Sequence, residues 1–436
     1  MVSLQRVPVR ARSASPPRTN PTSALRLAAT AVVLAATALG PTPALAAPQP
    51  PPPPPPCSNE TAPPPPVDTS EVPPPGVASP EPLPVPEKPV GGDRLGECAG
   101  PVLPEGAPAP PPEVSAASWI LADVTSGEVL AARDSHARHR PASAIKVLTA
   151  LVAIRDLNMS DTLVATQADA DQEGSRVGLH PGVTYTVEQV VTGLLMQSGN
   201  DAAHALAMKL GGPEVMTARM NELAHHLGAL DTRAATPSGL DGPGMSSSAY
   251  DLALVFRAAM QRPEFARAIN TQHTVLPGPP GQPLEVWSDN AVLLNYAGAL
   301  GGKTGFTDDA RHTFIAAAER DGRRIVAVLL RGENQPLRLS SQTMRLLDYG
   351  FTLRGRVGEL VAEGALEPTT ETAPVVPVQN VEPPHRDPAF GTVGGPLTLA
   401  AAAAVALLGV VGVRQRRARR AAAARRESAK VPADHP

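Results

Sequence analysis

Proline is the residue that most limits what this chain can fold into. It supplies 52 of the 436 residues, and 26 of those lie between Pro48 and Pro112. Proline donates no backbone hydrogen bond and holds φ at about −65°, so a stretch this dense enters neither a helix nor a sheet interior and takes extended polyproline II geometry. Residues 47–113 are therefore expected to be a spacer arm, and residues 361–390, rich in Pro, Glu and Thr, a second linker. Val114–Leu360 is then the one stretch expected to fold. The chain is 42% hydrophobic and only 3% aromatic, so its core must rest on Ala, Val and Leu, in numbers sufficient for one sizeable domain.

The formal net charge of −3 conceals an asymmetry. The first 46 residues carry five Arg and no acid, and the stretch from Arg414 onward carries eight Lys or Arg against two acids, which leaves 25 basic against 39 acidic residues in the middle. An acidic centre excludes nucleic acid as a partner, because phosphate binding needs a basic face. The basic ends read as topology signals instead. Arg6, Arg10, Arg12, Arg18 and Arg26 precede the apolar run Leu27–Leu39, then Gly40-Pro41 and Ala44-Leu45-Ala46. This is the pattern of a secretory signal peptide over residues 1–46; its length leaves an uncleaved anchor as the alternative. Residues 391–413 contain no charge and would reach about 34 Å as a helix, enough to cross a bilayer. Five Arg follow between 414 and 420, so the expectation is a single-pass helix, a cytoplasmic tail over 414–436 and everything before it outside the cell. In an exported chain Cys57 and Cys98 most simply form one disulfide; two free thiols or an intermolecular bridge are the alternatives.

Inside 114–360 the pattern alternates between strand and helix. Residues 117–124 and 128–133 flank Thr125-Ser126-Gly127 as a hairpin. A helix is expected from about Ala142. Others follow from Thr186 with Gln189, over 201–210, from Pro213 to Leu227 before Gly228, and from Ser248 with Asp251 to Met260. Residues 313–318 and 325–330 flank Asp321-Gly322 as a second hairpin, and 340–349 returns to helix. Strands at both ends with helices between imply one sheet assembled from distant segments.

Three short patterns carry chemistry. Ser143 and Lys146 stand three residues apart at a helix start, so they share a face. Serine is a weak nucleophile until a base takes its proton, and lysine, unlike arginine, can become that base if burial or nearby positive charge lowers its pKa. The chain has 33 Arg and only five Lys, which makes this lysine less casual. Ser198-Gly199-Asn200 ends one apolar helix and precedes another: a hydroxyl and a carboxamide able to relay a proton and hold an amide. Gly301-Gly302-Lys303-Thr304-Gly305 offers a cation and a hydroxyl to a carboxylate beside glycines that admit a peptide backbone. Each pattern alone also fits ordinary structure, a helix start, an interhelix turn and a strand. In this order, separated by 55 and 105 residues, they form the trio of class A β-lactamases and penicillin-binding proteins.

The trio and its flanking text, PASAIKVLTAL at 141–151, GLLMQSGNDAAHALA at 193–207, PSGLDGPGMSSSAYDL at 237–252 and LGGKTGFT at 300–307, resemble the serine D-alanyl-D-alanine carboxypeptidases of the low-molecular-mass penicillin-binding type. The resemblance covers about 114–349. It implies a β-lactamase/transpeptidase-like α/β fold, an antiparallel sheet packed with helices plus an all-helical lobe, with the site between them. It also implies an acyl-enzyme route on peptidoglycan stem peptides: Ser143 as nucleophile, Lys146 as its base, Ser198 passing a proton to the departing D-alanine, Asn200 orienting the peptide, Lys303, Thr304 and Gly305 receiving the terminal carboxylate end, and the N–H groups of Ser143 and Phe306 as oxyanion donors. β-Lactams would acylate the same serine. Two departures stand out. The β-rich domain that some members carry after the catalytic one has no counterpart before the linker, and Asp308-Asp309-Ala310-Arg311-His312 replaces an expected glycine; Arg311 is either a carboxylate aid or a strand-edge surface residue.

No cofactor or metal is expected. Asp169, Asp171 and Glu173 begin like a calcium loop, but His180 occupies the position that needs a bidentate Glu. His136 with His139, and His225 with His226, lack zinc spacing. The alternative functions are a β-lactamase and a noncatalytic β-lactam or peptidoglycan sensor. Against the first, no Glu occurs between Glu222 and Glu264, where a class A enzyme would place its deacylating carboxylate. Against the second, the trio is complete.

Overall fold

The computed structural model describes residues 57–365 apart from residue 99. The expected signal peptide over 1–46, the membrane helix over 391–413, most of the second linker and the basic tail lie outside the described residues. Among the described residues no helix is long and apolar enough to cross a membrane.

The chain forms β1 (Ser118–Asp123), β2 (Glu128–Arg133), a 3₁₀ turn (Ala142–Ile145), α1 (Lys146–Asp156), β3 (Thr162–Val164), α2 (Gln167–Ala170), β4 (Thr184–Thr186), α3 (Val187–Gln197), α4 (Asn200–Leu210), α5 (Pro213–Leu227), α6 (Ala249–Met260) and α7 (Pro263–Ile269). There follow β5 (His273–Leu276), β6 (Leu284–Trp287), α8 (Ala291–Asn295), β7 (Ala299–Thr307), β8 (Arg311–Arg320), β9 (Arg323–Gly332), α9 (Leu339–Thr352) and β10 (Gly358–Glu359). The main sheet runs β10-β2-β1-β9-β8-β7, every pairing antiparallel. Both ends of the chain's folded part therefore meet in one sheet, as the pattern implied.

Local chemistry explains the element ends. Thr186 Oγ1 accepts from the N–H of Gln189 at 3.2 Å while Gln189 Oε1 accepts from the N–H of Thr186 at 2.9 Å, a reciprocal cap that starts α3. At the head of α6 only half of this occurs: Ser248 Oγ accepts from the N–H of Asp251, but the Asp251 carboxylate turns away to the N–H of Asp231 and the hydroxyl of Thr232. The β8–β9 turn uses Asp321 and Gly322 at φ 52° and 76°, the left-handed pair that a two-residue hairpin needs.

Alternation in β9 divides the core. Ile325, Ala327 and Leu329 join the cluster under α9, with Trp119, Leu121, Phe314 and Leu346. Val326, Val328 and Leu330 face the other way, into the larger cluster built by α1 and α3 to α7. β9 is thus apolar on both faces because helices cover both. Two small antiparallel pairs, β3–β4 and β5–β6, had no sequence signal; at three and four residues they are too short to show a period.

The proline-rich segment departs from expectation. From Cys57 onward it is a strap laid on the domain, not a freestanding spacer. Val90, Leu95 and Val102 are buried in the main core, and Val102 bridges to Ala132 of β2. Polyproline II leaves its carbonyls without internal partners, and the domain supplies them: Arg138 donates to the carbonyls of Thr61, Leu83 and Pro84 at 2.9, 2.6 and 2.7 Å. Cys57 and Cys98 are joined, their Cα atoms 5.5 Å apart, closing a loop of sequence separation 41.

Candidate active site

The 3₁₀ turn carries Ser143, and α1 begins at Lys146, so the two side chains share a face at the helix start. Ala142 before them is held at φ 47° and fully buried, a left-handed non-glycine residue of the kind that clusters where geometry is over-determined. Three neighbours fix the turn. Thr313 Oγ1 donates to the carbonyl of Pro141 at 2.9 Å. Gly239 lies so close that a Cβ would stand 2.1 Å from the carbonyl oxygen of Ala142. Gly305 of β7 lies close on another side, where a Cβ would stand 2.9 Å from the N–H nitrogen of Ser143 and 3.0 Å from that of Ala144.

Lys146 is completely buried. Its Nζ lies 2.8 Å from Ser143 Oγ, 2.7 Å from Asn200 Oδ1 and 2.5 Å from the carbonyl of Ser238. Burial, and then the charge of Lys303, hold its pKa well below the ordinary lysine value, against the opposing pull of Asp201 and Asp289. Two of the three partners can only accept. In its neutral form the amine has two N–H bonds and one lone pair, and with the N–H bonds directed to Asn200 and Ser238 that form turns its lone pair to the Ser143 hydroxyl.

Asn200 is oriented by the loop between α2 and β4. Its Nδ2 donates to the carbonyl of Glu173 at 2.5 Å, which turns Oδ1 toward Lys146. That loop is held in turn by Asp201, a fully buried carboxylate accepting from the N–H groups of Val177, Gly178 and Leu179 at 2.9, 2.8 and 3.0 Å. Ser198, the residue between α3 and Gly199, is buried at φ 59°. Its hydroxyl makes no hydrogen bond among the described residues, which leaves it open to a bound substrate.

On β7, Lys303 is also completely buried, and Nζ donates to the carbonyl of Thr304 at 2.7 Å. Burial pushes its pKa down to about 8, with Asp289 opposing. Thr304 Oγ1 donates to Asp289 Oδ2 at 3.3 Å. Phe306 is 48% exposed at the strand's end. Arg311 pairs with Glu333, Nε to Oε1 at 2.8 Å and Nη2 to Oε2 at 3.1 Å, and covers the Phe306 ring at 5.7 Å; it is a surface ion pair.

Four contributors were not singled out from the sequence. Ser238 acts through a backbone carbonyl, which no side-chain pattern announces. Asp201 carried only helix text. Asp289 belongs to a second Ser-x-Asn, Ser288-Asp289-Asn290, whose Asn290 caps α8 and whose Asp289 reaches Thr304. Arg338 lines a groove of about 190 Å³ with Asp289, Thr304, Gly305, His312 and Asn334, and makes no ion pair among the described residues.

A half-buried serine beside a buried lysine, a carboxamide on that lysine and a second lysine on an adjoining edge strand are the arrangement of a serine hydrolase. The D-alanyl-D-alanine carboxypeptidase family model matches residues 105–334, and the chain belongs to that family. It is 48% identical over 258 residues to D-alanyl-D-alanine carboxypeptidase DacB2 of Mycobacterium tuberculosis, covering 58% of this chain and 88% of that protein. It is 30% identical over 243 residues to DacF of Bacillus subtilis, covering 54% of this chain and 62% of that one. Among solved structures, a D-alanyl-D-alanine carboxypeptidase from Mycobacterium tuberculosis aligns at 45% identity with a TM-score of 0.57, over 59% of this chain and 99% of that one. A mutant of the Streptomyces K15 DD-transpeptidase aligns at 25% identity with a TM-score of 0.52, over 55% and 99%. The protein is a serine carboxypeptidase of D-alanyl-D-alanine, a hydrolase acting on peptidoglycan.

Proposed function

We propose that it trims the terminal D-alanine from stem peptides through an acyl-enzyme on Ser143. The observation that carries this reading is the Lys146 amine, 2.8 Å from Ser143 Oγ and anchored by two acceptors with no carboxylate in contact. Lys146 takes the hydroxyl proton as Ser143 Oγ attacks the carbonyl between the two D-alanines. The oxyanion gathers between the N–H groups of Ser143 and Phe306. The C–N bond then breaks, the departing amine receives a proton by way of Ser198, and water hydrolyses the ester. Asn200 aligns the peptide. Lys303, Thr304 and Gly305 receive the terminal carboxylate end, with Arg338 as a second cation at the groove beside Thr304.

β-Lactams mimic that substrate and acylate Ser143 in the same way. The absence of any Glu between 222 and 264 favours a long-lived penicilloyl ester over β-lactamase turnover, and the occupied lysine–serine geometry favours an enzyme over a sensor. Residues 1–46 direct export and 391–413 anchor the protein, so that the catalytic domain works outside the membrane and 414–436 remain in the cytoplasm. The test is D-alanine release from a D-Ala-D-Ala pentapeptide together with labelling by fluorescent penicillin. Ser143→Ala loses both; labelling that survives on another serine overturns the assignment.

A further inference from the structure

The strap before residue 105 precedes the family match, yet it is fastened to the segments that flank the reaction centre. Every second residue of the segment leading to Ser143 grips it. His136 Nε2 meets the carbonyl of Val90 at 3.0 Å, Arg138 holds the three carbonyls already named, and Arg140 donates to the carbonyl of Pro64 at 2.6 Å and to Glu71 Oε2 at 2.7 Å. Between those last two contacts the strap also meets the turn after β7. The N–H of Val67 donates to Asp309 Oδ1. Arg140 stands three residues before Ser143, and Asp309 three residues after Phe306. Arg140 and Asp309 are themselves paired, Nε to Oδ2 at 3.9 Å, so the stretch 64–71 is tied at one place, where the segment before the nucleophile turn meets the turn after β7.

β7 is the last strand of the sheet, so its outer edge can accept an extended peptide as one more strand. If the peptide's terminal carboxylate meets Lys303 and Thr304, and its reacting carbonyl meets the N–H of Phe306, the peptide runs antiparallel to β7. Residues upstream of the scissile bond then continue past Thr307 toward Asp308 and Asp309, which is where the strap lies. Val67 presents its side chain there, 68% exposed, held by its own backbone contact to Asp309.

We propose that strap residues 64–71 form the outer wall of the cleft for the upstream part of the stem peptide, and that this chain thereby selects long stem peptides over a bare D-Ala-D-Ala end. The inference rests on the reading of the site given above. The experiment compares the purified full-length protein on two substrates, N-acetyl-D-Ala-D-Ala and a pentapeptide ending in D-Ala-D-Ala. Val67→Ser should raise KM for the pentapeptide about fivefold, the worth of one small apolar contact, with kcat unchanged and the dipeptide within twofold on both constants. Glu71→Ala, which frees the strap from Arg140, should raise the pentapeptide KM further and again spare the dipeptide. Equal losses on both substrates would show that the strap is only structural, and no change on either would show that it touches no substrate; both outcomes overturn the inference. Release of D-alanine from neither substrate by the unaltered protein would instead overturn the reading of the site.

Discussion

Raising the pH through about 8 should disarm the carboxylate end of the site while leaving the fold intact. Lys303 is charged below that value and neutral above it, whereas a peptide carboxylate stays charged throughout. The attraction is therefore present below pH 8 and lost above it, so kcat/KM must fall as pH rises. A hydrogen bond to a charged group contributes about 1.5–3 kcal/mol, which corresponds to a fall of about ten- to 150-fold before the profile levels off. The assay is D-alanine release under kcat/KM conditions from pH 6 to 10, with thermal melts at each pH. Lys303→Arg keeps its charge across this range and should lose the alkaline limb even if its fit in the buried site lowers the whole profile. An identical limb in Lys303→Arg, or a flat wild-type profile to pH 10, would refute the assignment of that limb to Lys303.

The other expectations can be checked on the same material. Lys146→Arg keeps charge but cannot serve as base, so penicillin acylation should fall by about 10²–10⁴, far more than in Lys303→Arg; equal rates in the two variants would count against this division of roles. Gly305→Ala places a Cβ 2.4 Å from Thr313 Oγ1 and 2.9 Å from the Ser143 nitrogen; acylation should drop about 10² by displacement of an oxyanion donor, and stopped-flow labelling measures it. Replacing Cys57 and Cys98 by Ser releases a loop of sequence separation 41, worth about 4 kcal/mol in the chain-entropy treatment, and calorimetry should show a Tm lower by about 6 °C. Nitrocefin should yield one burst and a stable adduct; steady hydrolysis at many turnovers per second would move the protein to the β-lactamases.

Elements with chemical punctuation were legible in advance. Thr186 with Gln189, Pro213 with Gly228, and Asp321-Gly322 each name a helix or turn end through backbone hydrogen bonds that only those residues satisfy, and α3, α5 and the β8–β9 hairpin lie there. The strap was not legible. Proline-rich text states the backbone geometry of a segment but says nothing of what will bind its free carbonyls, and Arg138 and Arg140 look like any other surface charges until the fold buries them. In the site, spacing brings Ser143 and Lys146 together because both belong to one helical start. The contact from Asn200 depends on two helices crossing, and that from Ser238 on a loop folded over the turn. The latter engages a carbonyl that every residue possesses, so no residue type could have marked it. The position of Ser198 likewise depends on a left-handed backbone that the text Ser-Gly-Asn permits without requiring.

The central claim is that one lysine-activated serine carries the covalent step. Mass spectrometry of the protein after brief incubation with benzylpenicillin, followed by peptide mapping, tests it directly. A single penicilloyl group on Ser143, absent from Ser143→Ala, is the expected result. An adduct on Ser198 or any other residue, or D-alanine release undiminished in Ser143→Ala, would contradict it.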